Sequence, residues 1–311
     1  MKTTCFERAI FFSWYCDIGD CQFCFMSTQK GKNKGKIARR STESILAEVF
    51  LCKKLGWQLG FISGGHNAYN TTEFLKLLRQ INIVAEEKVW INIGPVSKPE
   101  LRKFMPYIKG VVGSIETINP VIHLSVCPSK PVKPFEEMFQ NAKELGLKNA
   151  MTIIVGLGEK ISDFEILRQF IVRNSISKIH FYGLNPQKGT AFEKASPPAK
   201  EYQAEWISRT RKAFPGIDIQ CGIWKDRPEY ISALLKAGAN SISKFPAIKK
   251  FGSEEAKRIE LEAKKAGRKF LGTLTKKTKI SLDEIDNYKL PIEIKEKVKE
   301  KLKQYMKRLK V

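Results

Sequence analysis

Three cysteines, Cys16, Cys21 and Cys24, fall within nine residues as CDIGDCQFC, at the end of the apolar stretch AIFFSWYC. Thiolates this close can hold three corners of one metal centre. A zinc knuckle would need a fourth protein ligand to close its tetrahedron. No Cys or His follows at knuckle spacing, the next candidates being Cys52 and His66. An iron–sulfur cluster held by three cysteines uses the triplet as it stands and leaves one iron open to a further ligand. Seven cysteines with three bunched together do not suggest a disulfide framework; they suggest a metal site in a reducing cytoplasm.

The elements that must position this triplet follow from hydrophobic period. Strands are expected at Ala9–Tyr15, Leu59–Ser63, Val89–Ile93, Gly110–Ile115, Ala150–Val155, Lys178–Gly183, Ile217–Ile223 and Ser241–Phe245. Amphipathic helices are expected between them at Thr42–Leu55, Thr72–Val84, Phe135–Leu145, Asp163–Val172, Ala199–Ala213, Pro228–Ala237 and Ser253–Ala266. This alternation fits a single α/β domain over residues 1–270, a (β/α)8 TIM-type barrel, with an open doubly wound sheet as the alternative. Residues 271–311 read as a basic, largely helical extension. In such a barrel, chemistry sits in the loops after the strands. The triplet follows strand one, SGGH (Ser63 to His66) follows strand two, SIET (Ser114 to Thr117) ends strand four, and TIIVGLGE (Thr152 to Glu159) spans the end of strand five. All four motifs converge on one rim.

The formal net charge is +23. Residues 30–40 hold six cations and no acid, and residues 295–310 hold eight cations and two acids. In the second stretch Ile294, Val298, Leu302, Tyr305 or Met306, and Leu309 recur at helical spacing, so one face docks and the basic face is solvated. The charge reads either as Lys-rich composition or as a surface for an acidic protein, RNA or an anionic substrate. The chain shows no recognisable RNA-binding module, so nucleic acid is not the expected partner. No apolar run approaches the roughly 20 residues needed to cross a bilayer. The N-terminal apolar stretch is interrupted by Glu7 and Arg8, which argues against a signal peptide.

Over residues 9–270 the motifs resemble the radical S-adenosylmethionine (SAM) superfamily, and within it the biotin synthase-like branch, including archaeal biotin synthase-related and lipoyl synthase-like proteins. The resemblance implies a 4Fe–4S cluster on Cys16, Cys21 and Cys24, with Phe23 as the aromatic residue that usually precedes the third cysteine. Gly64, Gly65 and His66 match the Gly-Gly-Glu-like turn that holds the SAM amino group. Ser114 and Glu116 match the side chains placed on the SAM ribose. Ile154 and Val155, with Gly156 and Glu159, fall in the segment that supplies backbone contacts to adenine, Thr152 standing in place of its first glycine. The implied chemistry is reductive cleavage of SAM to methionine and a 5′-deoxyadenosyl radical that abstracts hydrogen from an unactivated carbon. Such an enzyme needs a reductase or ferredoxin as electron donor.

This chain departs from the family in two places. The cysteine spacing is four then two residues where three then two is usual, and Gly19 can absorb the extra residue because it tolerates positive φ. The glutamate of the turn is replaced by His66, either as a neutral acceptor or as a local hydrogen-bonding group. Biotin synthase also carries a sulfur-donating 2Fe–2S cluster. The positions matching its ligands here, Ile62, a residue near Asn92, Ala150 and Gln220, supply neither Cys nor Arg, so biotin synthesis by that route is not expected. Cys5, Cys127 and Cys221 are either candidate ligands of an auxiliary cluster or idle thiols, and Cys52 is a small core residue. The resemblance to lipoyl synthase-like proteins allows sulfur insertion of the lipoyl type, on an acidic carrier protein or together with a second radical SAM protein. The alternatives are hydrogenase-maturase-like cofactor biosynthesis on a small anionic molecule, and RNA modification.

Overall fold

The computed structural model describes residues 2–32 and 38–309. After a short strand β1 (Thr3–Cys5), eight strands form one parallel sheet in strict sequence order. They are β2 (Glu7–Phe11), β3 (Gln58–Ser63), β4 (Val89–Asn92), β5 (Ile108–Glu116), β6 (Lys148–Val155), β7 (Ile176–Gly183), β8 (Asp218–Gly222) and β9 (Ser241–Ser243). A parallel bridge between Phe6 and Ile242 brings the last strand back to the first. The expected TIM-type barrel is therefore the observed fold, and the open sheet is not.

Alternation along the strands sorts the side chains into two layers. Ile10, Ile62, Ile91, Val111, Met151, Ile179 and Ile219 belong to the large core shared with the helices. Phe61, Trp90, Val112, Ala150 and Tyr182 form a separate cluster inside the barrel. The helices that cover the sheet are α1 (Thr42–Leu55), α2 (Thr71–Ala85), α3 (Lys98–Phe104), α4 (Pro120–Val126), α5 (Lys133–Glu144), α6 (Phe164–Arg173), α7 (Lys200–Ala213), α8 (Ile231–Ala237) and α9 (Glu254–Lys265). Local chemistry sets their ends. Asn70 caps α2, its Oδ1 accepting from the Glu73 N–H at 2.9 Å, and Gly56 stops α1 in the left-handed region at φ +67°.

The floor of the barrel is polar. Lys178 Nζ donates to Glu7 Oε1 and to Asp218 Oδ2, both at 2.7 Å, while Gln220 Nε2 and Ser241 Oγ also donate to the Glu7 carboxylate. A buried charge survives only when paired and hydrogen-bonded, and Glu7 and Lys178 satisfy each other here.

Several expectations need adjustment, among them the last barrel strand, which ends at Ser243 and not Phe245 because Lys244 turns left-handed. Strand one ends at Phe11, not Tyr15, because the Ser13 position bridges to Arg39 and the chain then turns across the barrel mouth. Apolar character alone does not separate a strand from an aromatic rim. Helices α3 and α4, of seven residues each, are additions to the sequence reading. A short strand β10 (Lys269–Leu271) pairs in parallel with β1. Beyond it, α10 (Ile292–Leu309) docks on α1 through Val298, Leu302, Tyr305 and Leu309, with Ser44 Oγ and Tyr305 Oη 2.7 Å apart. Residues 33–37 of the basic 30–40 segment lie outside the described residues. Among the described residues, no helix is long and apolar enough to cross a membrane.

Candidate active site

A cavity of about 540 Å³ opens at the C-terminal ends of the strands, where Cys16, Cys21 and Cys24 all line its wall. The loop that carries them is held from below by Phe23, which packs with Val126, Cys127, Leu157 and Leu184 in a small separate cluster. Gln22 adds two backbone bonds, from its N–H to the Val126 carbonyl and from the Ala191 N–H to its own carbonyl. Gly19 adopts φ +52°, the conformation its place in the longer spacer calls for.

All seven cysteines are free thiols. Cys127 lies beside Cys21; its hydrogen bond draws the Cys21 thiol below its usual range, and Lys130 nearby adds to the effect. Burial pushes the Cys24 thiol up to about 11. Among the described residues, no three His, Cys, Asp or Glu side chains are gathered closely enough to close on a metal ion. The thiols thus share one wall without forming a ligand cage. Their softness, their number and the short loop fit a cluster bound by three thiolates better than a closed zinc tetrahedron.

Gly64 and Gly65 are required by packing. A Cβ on Gly65 would be driven into the Tyr15 carbonyl and Cys16, and one on Gly64 into the Phe12 ring. The turn after β3 therefore lies directly against the cysteine loop. His66 lines the cavity and also bonds locally: its Nδ1 is 2.8 Å from Asp17 Oδ1, within the cysteine loop, and Asn67 Nδ2 donates to Asp17 Oδ2 at 2.6 Å.

Ser114 and Glu116 face the cavity from β5. Ser114 Oγ donates to Asn92 Oδ1 at 3.0 Å. The strand register shifts between Ser114 and Glu116, and Glu116 sits at φ +67°. A non-glycine residue in that region is strained, and such strain gathers at functional sites. Glu116 Oε1 accepts from Lys130 Nζ at 2.8 Å, and this carboxylate holds the buried Lys130 ammonium above its usual range. Ile154 lines the cavity, whereas Val155 points outward into the core and its carbonyl accepts from the Leu184 N–H. Glu159 closes the following turn by accepting from the Gly156 and Leu157 N–H groups at 2.7 and 2.9 Å. Burial holds its carboxyl above the ordinary range despite those bonds.

The three remaining cysteine candidates are not brought together. Cys5 is buried on β1, before the first barrel strand. Cys221 belongs to the core between sheet and helices, with its Sγ 3.4 Å from the Ser241 carbonyl, so it does not point into the barrel. Only Cys127 approaches the cavity wall, and it is buried behind Cys21. Cys52 is a fully buried core residue of α1, as expected.

Sequence reasoning missed two lysines. Lys130 carried no signal beyond its place in SVCPSKP. Lys244 follows the inward-facing Ser241 and Ser243 and would point outward on strict alternation, but its φ of +67° re-aims it into the cavity.

The comparisons with known proteins agree with this geometry. The chain is 40% identical over 323 residues to an uncharacterised protein of Methanocaldococcus jannaschii, covering 98% of this chain and 89% of that one. It is 23% identical to the biotin synthase of Methanococcus vannielii over 173 residues, 55% of this chain and 52% of that enzyme. Among solved structures, methylornithine synthase (PylB) superposes with a TM-score of 0.67 at 19% identity, covering 78% of this chain and 72% of that one. HydG, a maturase of the [FeFe]-hydrogenase, gives 0.65 at 14% identity, covering 78% and 57%. The radical SAM superfamily matches residues 12–171. That match runs from the end of β2 into α6, through the cysteine loop, the Gly-Gly turn and the Ser114–Glu116 edge, and it establishes this chain as an enzyme of the radical SAM superfamily, whose members generally use a 4Fe–4S cluster and SAM.

Proposed function

We propose that this enzyme cleaves SAM reductively and takes a hydrogen atom from an unactivated carbon of a small substrate held in the barrel mouth. The observation that carries the reading is the convergence of Cys16, Cys21, Cys24, Gly65 and Glu116 on one cavity. When bound, the cluster and SAM supply the electron and the carbon–sulfur cleavage that make hydrogen abstraction possible. The chain's own part is to hold and exclude. The three thiols are the cluster ligands, and Gly64 and Gly65 bring backbone close to them. Glu116 offers a carboxylate to ribose hydroxyls, with Ser114 beside it, and Ile154 gives the adenine an apolar wall. Phe11, Tyr182 and Trp224 add aromatic walls, Tyr182 beside Ile154, that keep water out.

The separate placement of Cys5, Cys127 and Cys221 supports a reaction that draws no sulfur from a second cluster on this chain. Sulfur insertion of the lipoyl type would then depend on a second protein. The cavity favours the other reading, chemistry on a small molecule. An acidic electron donor, a ferredoxin or a reductase, suits the cysteine loop, because Lys30 lies across it with Nζ donating to the Ile18 carbonyl at 3.2 Å.

Anaerobically reconstituted protein should hold about four irons per chain, and with dithionite it should convert SAM to 5′-deoxyadenosine and methionine. Replacing Cys16, Cys21 and Cys24 with Ala should abolish both. Full iron in the triple variant, or S-adenosylhomocysteine as the sole product, overturns the proposal.

A further inference from the structure

Lys244 stands at the end of β9 with its side chain in the cavity and its ammonium over aromatic rings. Nζ lies 4.4 Å from the Tyr182 ring centroid, 5.5 Å from Phe11 and 5.7 Å from Trp224. Among the described residues, no carboxylate or carbonyl oxygen is recorded as an ion-pair or hydrogen-bond partner of this ammonium. The surrounding lysines and arginines behave differently: Lys130 is paired with Glu116, Lys178 with Glu7 and Asp218, and Arg8 and Arg40 with Glu48. The fold also strains the Lys244 backbone, at φ +67°, in placing the side chain there. A largely desolvated ammonium with no hydrogen-bonded acidic partner is costly, and rings alone recover only part of that cost. Burial draws its pKa down to about 8, helped by Arg8 and opposed by the more distant Glu116 and Cys24.

Its strand lies opposite β5, four strands away in the eight-stranded order, while its ammonium reaches over Tyr182, the strand neighbour of Ile154. Asn185 and Gln187 lie on its side of the cavity, whose walls are otherwise mainly apolar or aromatic. A single unpaired cation among rings matches one negative charge; a phosphate dianion would call for a second cation.

We propose that Lys244 is the anchor for the carboxylate of a small, otherwise apolar substrate, which binds in the barrel mouth next to SAM. The inference rests on the reading of this cavity as a radical SAM active site and names the substrate class for it. Lys244 is a positioning residue for that carboxylate, which fixes the carbon presented to the SAM side.

The test needs neither cluster nor turnover. Hexanoate, hexan-1-ol and hexyl phosphate are titrated calorimetrically into the full chain and into Lys244→Met and Lys244→Arg variants. Hexanoate should bind the wild type at least tenfold more tightly than hexan-1-ol. Lys244→Met should erase that preference, and Lys244→Arg should keep most of it. Equal binding of acid and alcohol by the wild type, or a preference that persists in Lys244→Met, overturns the proposal. Tighter binding of hexyl phosphate than of hexanoate overturns the carboxylate assignment. SAM affinity of the reconstituted protein separates the two anions: a tenfold loss in Lys244→Met with hexanoate binding intact would give the lysine to the SAM carboxylate and also overturn it. A chain that shows the Lys244-dependent preference yet leaves SAM uncleaved refutes the function proposed above and supports the anion site by itself.

Discussion

The Glu116 carboxylate, placed on β5 by a strained backbone, is already engaged by the buried ammonium of Lys130 at 2.8 Å. The residue suited to SAM hydroxyls is therefore also the counter-charge of a lysine beside Cys21. Binding and folding share one carboxylate.

Glu116→Ala should accordingly do two things. It should weaken SAM binding, and it should cost about 3–5 kcal/mol of stability by leaving Lys130 buried and unpaired. The double variant Glu116→Ala with Lys130→Met should recover most of the stability and little of the SAM affinity. Urea denaturation with SAM titration checks both. Equal recovery of the two would mean that Glu116 acts only through the fold.

Gly65→Ala should prevent normal seating of the cysteine loop. The added methyl meets the Tyr15 carbonyl and Cys16, with backbone on both sides, so neither neighbour can yield cheaply. A loss of about 1–3 kcal/mol is expected, together with a fall in iron incorporated on reconstitution. Gly146→Ala is the control for its neighbours' sake, because no atom lies within 4 Å of a Cβ there; its own φ of +71° limits it to a modest backbone penalty. Full iron in the Gly65 variant would show that the loop tolerates displacement.

Lys244→Met should stabilise the ligand-free protein. The folded pKa of about 8 lies below the ordinary lysine value of 10.5, so the charged lysine opposes folding at pH 7. Between pH 8 and 10.5 the unfolded chain holds the proton that the folded chain has released, and wild-type stability rises with pH. The advantage of the Met variant in thermal melts should therefore be greatest below pH 8 and shrink toward pH 10.5. An advantage independent of pH would mean that packing, not charge, is responsible.

Reduction by an acidic ferredoxin should slow as salt rises. Screening sets in over about 10 Å at 0.1 M, and Lys30 lies on the cysteine loop itself. Lys30→Gln should lower the rate at low salt and flatten its salt dependence; unchanged kinetics would leave the positive charge as composition.

The barrel was legible in the sequence because each strand carries a clear apolar face and the helices between them keep their period. Thr42–Leu55 agrees with the observed α1 residue for residue, since Gly56 stops it. The cysteine loop and the Gly-Gly turn were legible as motifs, but the reason for the glycines was not: their neighbours, Phe12 and Tyr15, are about fifty residues away. Apolar pattern overextends strand one because Trp14 and Tyr15 are apolar whether they sit in a sheet or on a rim. Lys244 was hidden for the opposite reason. One left-handed residue reverses the alternation on which its direction would have been judged, and Lys carries no sign of adopting it.

The pairing of β1 with β10 joins Thr3–Cys5 to Lys269–Leu271. In the order of synthesis, β1 must wait for β10 before it finds its neighbour. The seam beside it, where Phe6 meets Ile242, must likewise wait until nearly all of the barrel has been translated. The mouth can then take its final form only once β9 has been made, which leaves a long interval in which the three thiols exist but are not yet enclosed.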